Sequence, residues 1–206
     1  MASLTFWFEF ASTYSYPAAH RIDALAAAAG VEVVWRPFQL GPLLNTQQGM
    51  TDSPFNVVPV KGVYMWRDMA RVCGELDLPL QNPSRFPRNG VLAARVVLAD
   101  KSPGWASAFT KAVYSANFAD DLEISDQEVV SSLITSLGAN PQTVLAAAGS
   151  DAIKAELKAN TAEAMERGLF GSPSFTTDDG ELFWGNDRLE AALAWAANPK
   201  ILSRKN

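Results

Sequence analysis

The sequence predicts an α/β chain whose sheet is assembled from its two ends, with a helical block between them. Three observations carry this. Two aromatic and β-branched runs, residues 4–10 and 31–38, flank an alanine-rich helical stretch. Apolar residues then recur at helical spacing through the middle of the chain. Strand signals return only around Asp178-Asp179-Gly180, where Asp-Gly marks a hairpin turn.

Taken in order, residues 4–10 (L-T-F-W-F-E-F) read as a buried strand, and residues 11–17 (A-S-T-Y-S-Y-P) as a cluster of capping hydroxyls with a first-turn proline. Residues 18–29 form an alanine-rich helix stopped by Gly30, and residues 31–38 a second strand. Together these make a βαβ unit with parallel pairing. Residues 41–59 read as loop. Residues 60–76 read as a helix, after which Pro79, Pro83 and Pro87 break the chain, and residues 89–99 and 105–117 supply two more helices. Ser125 and Glu128 have capping-box spacing, and Asn140-Pro141 opens the next helix. Residues 151–167 form a helix ended by Gly168. Strands at 174–177 and 181–184 flank the hairpin turn, and Asn186 caps a last helix over 187–197. The order βαβ, helices, ββα is that of a thioredoxin-like sheet with a large all-helical insertion. The domain division expected is residues 1–45 with 168–206 for the sheet part, and 46–167 for the insertion.

Composition excludes much chemistry. Hydrophobic residues at 48% and charged residues at 19% give an ordinary globular balance that argues against disorder. A net charge of −5 argues against a nucleic-acid partner, since phosphate binding needs clustered Lys and Arg. No apolar run is long enough to span a membrane, and residues 1–10 lack a basic leader region and are interrupted by Glu9. A cytoplasmic location is therefore expected. The single cysteine, Cys73, and single histidine, His20, rule out an internal disulfide, a dithiol motif and a Cys/His zinc cluster, so no metal site is expected. His20 has no obvious orienting carboxylate for a hydrolase triad, and Cys73 reads as a small buried residue near a helix end. Trp7, Trp35, Trp66, Trp105 and Trp195 read as core.

Three places remain. Ser12 lies between the first strand and the mouth of the first helix, where backbone N–H groups and the helix dipole favour an anion; a hydroxyl there can donate to a thiolate. Capping by Ser12 or Ser15 explains the same residues. Phe170-Gly171-Ser172-Pro173 precedes the hairpin. A cis bond at Pro173 leaves the Ser172 backbone free to pair with an extended ligand; an ordinary turn proline is the alternative. Trp184-Gly185-Asn186-Asp187-Arg188 joins a strand, a glycine and a helix start, with either an anion site or simple capping as its role. Lys61, Tyr64 and Asp68 share a helix face, as a surface ion-pair row or as the frame of a cleft.

As a set, S-x-x-S after the first strand, G-x-P before the hairpin and W-G-N-D-R before the last helix resemble the 2-hydroxychromene-2-carboxylate isomerases and kappa-class glutathione transferases, in the DsbA-like branch of the thioredoxin fold. The resemblance runs over nearly the whole chain, including Lys61-Gly62-x-Tyr64-Met65-x-x-Asp68. It implies a cytoplasmic, homodimeric enzyme of aromatic-compound breakdown with glutathione as cofactor and a small-molecule substrate. It also implies roles: Ser12 as the catalytic serine that holds the glutathione thiolate, and Ser172, before Pro173, pairing with the cysteinyl part. Trp184, Gly185, Asn186 and Asp187 would hold the γ-glutamyl end, and Asn56 and Phe86 would line the substrate pocket. The reaction implied is cis–trans isomerisation by transient thiolate addition; the alternatives are a kappa-like transferase or peroxidase and a non-catalytic binding module. The isomerases carry a lysine after the second strand, where this chain reads Leu40-Gly41-Pro42-Leu43-Leu44.

Overall fold

In the computed structural model, which describes residues 2–199, the two ends of the chain meet in one four-stranded sheet of order β2-β1-β3-β4. The final residues of the expected second sheet segment, 200–206, lie outside the described residues. Strand β1 (Ala2–Phe8) pairs in parallel with β2 (Val31–Pro37) and antiparallel with β3 (Ser174–Thr177), which pairs antiparallel with β4 (Leu182–Trp184). Helix α1 (Ser15–Ala29) is the crossover between the parallel strands, stopped by Gly30 in the left-handed conformation at φ 66°. The sheet part closes with a 3₁₀ turn, Asn186–Arg188, and α10 (Leu189–Ala197).

The apolar and aromatic residues of β1 have their reason in burial on both faces. Leu4, Phe6 and Phe8 enter a large core shared with α1 and the inserted helices, and Phe6 stacks on Phe175 of β3 at 5.4 Å. Trp7 points the other way, into a smaller core of Phe38, Leu43, Leu44, Ala164 and Leu169, and its indole N–H donates to Thr176 Oγ1. The helices between β2 and β3 are α2 (Leu40–Gln48), α3 (Pro54–Val57), α4 (Pro59–Glu75), α5 (Val91–Ala99), α6 (Trp105–Phe118), α7 (Gln127–Ser136), α8 (Pro141–Ala148) and α9 (Asp151–Glu166).

Four local expectations are corrected. Residues 41–59 are not a loop: they hold α2 and α3. Pro42 sits in the first turn of α2, where its missing N–H costs nothing, and Leu43 and Leu44 bury in the second core, so packing outweighs the Gly and Pro content. The cap of α7 is Asp126, which accepts from the Glu128 amide, while Ser125 donates to Glu123 instead. Asn186 makes no side-chain cap bond; it starts the 3₁₀ turn, and α10 begins at Leu189. The first helix starts at Ser15, three residues before the alanine run, and its N-cap position, Tyr14, makes no side-chain cap bond.

The segment between α4 and α5 is fixed by Arg88, whose guanidinium is 2% exposed. It donates to the carbonyl and side chain of Asn117, to Ser84 and to Asp121. Asn117 in turn donates to the Phe10 carbonyl at 3.0 Å, so this network ties residues 84–90 to the end of β1. Replacing Arg88 by methionine leaves the buried Asn117 without its donor and removes the cation that ties it to Asp121. It is expected to lower unfolding free energy by about 3 kcal/mol, read from the urea midpoint at unchanged slope.

Candidate functional site

The sheet order brings the mouth of α1 against the turn that precedes β3. Register pairs Trp7 with Ser174, so the residues just past the end of β1 face those just before the start of β3. There Ser12 Oγ donates to the Ser172 carbonyl at 2.8 Å, Ser15 Oγ lies 3.0 Å from Ser12 Oγ, and Ser15 Oγ and Ser172 Oγ are 2.8 Å apart. The Ser172–Pro173 peptide is cis. Three hydroxyls from opposite ends of the chain thus form one closed network. Neither Ser12 nor Ser15 caps the helix: Ser12 holds the distant turn, and Ser15, wholly buried, is the first helical residue.

The α1 terminus is electrostatically bare. Its first turn carries no acidic residue and no side-chain cap, so the positive end of the helix dipole is left for whatever approaches. Thr13 Oγ1, beside it, is buried without a hydrogen-bond partner, and Asn186 Oδ1 is likewise buried and unpartnered. Polar atoms in that condition cost about 1–3 kcal/mol each unless water or a ligand satisfies them.

A cavity of about 1150 Å³ opens over this network. Ser12, Thr13, Tyr14 and Ser172 form one side, the α2–α4 region supplies Leu44, Pro54, Phe55, Lys61 and Tyr64, and Phe86 to Asn89 close another side. Of the residues expected from sequence, Ser12, Ser172, Phe86 and Trp184 line it. Trp184 is half-exposed and packs on Phe170 with ring centres 4.9 Å apart; no other tryptophan lines the cavity, and Trp7 and Trp105 are buried in core as expected. Pro173, Gly185, Asn186 and Asp187 lie behind this wall. The Gly185 amide donates to the Pro173 carbonyl, Gly185 sits at φ 110°, and Asp187 is exposed beside Arg188. Asn56 is not a lining residue: its amide donates to Asp52 and to the Phe86 carbonyl, bracing the wall from outside.

The Lys61–Tyr64–Asp68 row frames the cleft. Lys61 and Tyr64 line it, while Asp68 accepts from the Tyr14 hydroxyl at 2.9 Å. That bond, with burial as the larger cause, holds the Tyr14 phenol well above its ordinary range. His20 lies apart from the cavity, edge-on to Tyr16 and 3.4 Å from Ser115, so it forms no triad with Ser12. Cys73 is buried in the main core, its thiol pushed up to about 11 by burial.

Sequence reasoning passed over Glu9. It is the one charged residue in the first strand signal, and it lines the cavity three residues before Ser12. Its Oε2 accepts from the Ala11 amide, and its carbonyl accepts from the Ser12 amide and the Tyr114 hydroxyl. Burial raises its carboxyl from 4.5 to about 7, against the lowering effect of the Ala11 amide.

A serine-bearing helix mouth set against a cis-proline turn, on this sheet order, defines a thioredoxin-fold protein whose key position carries no sulfur. The chain matches the DSBA-like thioredoxin domain over residues 3–194 and belongs to that family. It is 28% identical over 188 residues to the 2-hydroxychromene-2-carboxylate isomerase of Sphingobium xenophagum, covering 91% of this chain and 94% of that one. Identity is 27% over 185 residues to the enzyme of the same name from Pseudomonas sp. (strain C18), covering 89% and 85%. Among solved structures, a 2-hydroxychromene-2-carboxylate isomerase shares the fold with a TM-score of 0.84 at 23% identity, covering 96% and 97%.

Because the folded protein favours protonated Glu9, its contribution to stability is full below about 4.5 and is lost as pH rises through about 7. His20, lowered by burial, acts in the opposite sense below 6.5 in both proteins compared, so the difference isolates Glu9. From pH 5 to pH 8 the melting temperature of wild type is expected to fall relative to that of Glu9→Gln. Parallel profiles would show that Glu9 titrates at its ordinary value.

Proposed function

We propose that this chain is a glutathione-dependent isomerase of the 2-hydroxychromene-2-carboxylate isomerase type, acting on a conjugated intermediate of aromatic breakdown. The observation that carries it is Ser12, a hydroxyl at the bare mouth of α1, on the floor of a large, mostly apolar-walled cavity, with no thiol of the protein's own nearby. The names of the curated relatives support an isomerase.

The residues fit a bound glutathione. Thr13 Oγ1 and Asn186 Oδ1 are buried polar atoms in want of partners on either side of the α1 mouth. Glycine at 171 and 185 lets Trp184 and Asp187 pack against the backbone: a Cβ at Gly171 would come within 2.3 Å of Trp184 Nε1, and one at Gly185 within 2.6 Å of Asp187 Oδ1. Ser12 would face the sulfur, Ser172 with Pro173 the cysteinyl part, and Trp184 to Asp187 the γ-glutamyl end. When bound, glutathione supplies a thiolate that adds reversibly to a conjugated carbon and leaves after bond rotation, so it is not consumed.

The chain's part is to hold that sulfur ionised and the substrate in place. Ser12 Oγ donates its hydrogen bond to the Ser172 carbonyl, so it must turn from that carbonyl to donate to an anion. Ser15, in contact with both Ser12 and Ser172, can follow with its own hydroxyl. The α1 amides add a fixed positive field that needs no reorganisation. Serine is thereby a donor, with no general-base histidine required. Phe55, Tyr64 and Phe86 supply apolar walls for a planar substrate, and Lys61 the one lysine among the lining residues, suited to a carboxylate.

Calorimetric titration is expected to show glutathione binding to wild type, with the bound thiol ionising at lower pH than in solution by its thiolate absorbance. Ser12→Ala should raise that ionisation and cost about 10- to 100-fold in kcat, as for one hydrogen bond to a charged group. Wild type that neither binds glutathione nor lowers its thiol pKa would sink the proposal. With 2-hydroxychromene-2-carboxylate as substrate, glutathione should be recovered unchanged; its consumption would indicate a transferase.

A further inference from the structure

We infer that Glu9 is a proton-carrying catalytic residue of this cavity, its Oε1 delivering a proton to, and recovering it from, a substrate oxygen. The inference rests on the isomerase reading above and adds to it a group that neither the helix mouth nor the hydroxyl network supplies.

The geometry comes first. Glu9 lies just past the end of β1, where the central strand delivers its residues to the cavity, and it is held from several sides. The Ala11 amide takes Oε2, Tyr114 on α6 and the Ser12 amide hold its carbonyl, and Gly90 packs against the carboxyl so closely that a Cβ there would lie 3.3 Å from Oε1 and 2.6 Å from Phe10 Cβ. Oε2 is therefore occupied, and no hydrogen bond within the described residues holds Oε1. Among the described residues no Lys or Arg pairs with Glu9.

The charged and titratable groups around it leave it so. Arg88, from the segment beside Gly90, is held by Asp121 and Glu123. Lys61 and Tyr64 line the cavity from α4, Tyr14 from the start of α1 is bound to Asp68, and Tyr114 has its phenol raised well beyond neutral pH by burial. A half-buried carboxyl without a cation stays protonated into the neutral range, here to about 7, which suits both giving and taking a proton at working pH.

The step balances. As the sulfur–carbon bond forms, the π pair of the substrate's conjugated C=C shifts to the conjugated carbonyl oxygen, and the Glu9 proton moves from Oε1 to that oxygen, leaving the carboxylate. After rotation about the single bond, the carboxylate takes the proton back, the electron pair returns, the double bond closes in the other geometry and the sulfur–carbon bond breaks. Nothing is oxidised or reduced, and Glu9 ends as it began.

The test uses Glu9→Gln and Glu9→Asp in the full chain, with glutathione and 2-hydroxychromene-2-carboxylate. Infrared difference spectra of wild type without ligands should show one protonated carboxyl titrating near about pH 7, absent from Glu9→Gln. Glutathione affinity should stay within about threefold of wild type in both variants, while kcat falls about 100-fold in Glu9→Gln and loses its descending limb near neutrality. Glu9→Asp, still an acid but one methylene shorter, should recover part of that loss and keep a limb. Wild-type kcat and pH profile in Glu9→Gln with glutathione still bound would overturn the role of Glu9 alone. If Glu9→Gln does not fold, wild-type kcat and profile in Glu9→Asp overturn it equally. Wild type that binds no glutathione overturns both this inference and the reading beneath it.

Discussion

The position of β1 is the constraint on which the rest depends. It is hydrogen-bonded along both edges and covered on both faces, so its register cannot drift: a slip of one residue would exchange Phe6 for Trp7 between two cores of different size. That register sets Trp7 opposite Ser174, and with it the separation of Ser12 from Ser172. The hydroxyl network is a consequence of strand pairing, and so is the delivery of Glu9 and Ser12 to one cavity from one turn.

Two kinds of electrostatic incompleteness meet at that turn. The α1 terminus has neither side-chain cap nor first-turn acid, and nearby Thr13 and Asn186 hold buried oxygens without partners. Among the described helices, α3, α7, α8 and α9 have side-chain caps, from Ser53, Asp126, Asn140 and Ser150, whereas α2, α4, α5, α6 and α10 start, like α1, without one. At α1 the hydroxyls of Ser12, Thr13 and Ser15 are all at hand, and the chain folds so that none of them caps the helix.

Much of the fold was legible because its signals are local. The strand runs, the Asp-Gly turn and the alanine helix each announce themselves within a dozen residues, and the sheet-helix-sheet order follows. Residues 41–59 were not legible as helix because what folds them is the burial of Leu43 and Leu44 under a sheet face built from distant segments. At the site, Ser12, Ser172, Phe86 and Trp184 line the cavity, whereas Asn56 does not and donates instead to Asp52 and the Phe86 carbonyl. Ser15 was visible only as a possible cap, since its contact with Ser172 spans most of the chain. Glu9 carried a signal that went unused: an acidic residue interrupting an otherwise apolar strand run is costly unless it has work at that spot.

The bond from Ser12 to Ser172 joins residues 160 positions apart. During synthesis β1 emerges long before the strand that covers its second edge and the turn that completes the hydroxyl network. Until then β1 can pair on one side only, with β2, and its other edge is an open template for wrong partners. The nascent chain therefore carries the second edge of β1 uncovered until β3 has been made. Nor can the hydroxyl network form before Ser172 is free to meet Ser12 and Ser15. A chain truncated before residue 172 keeps Ser12 and Ser15 and lacks the turn that holds them.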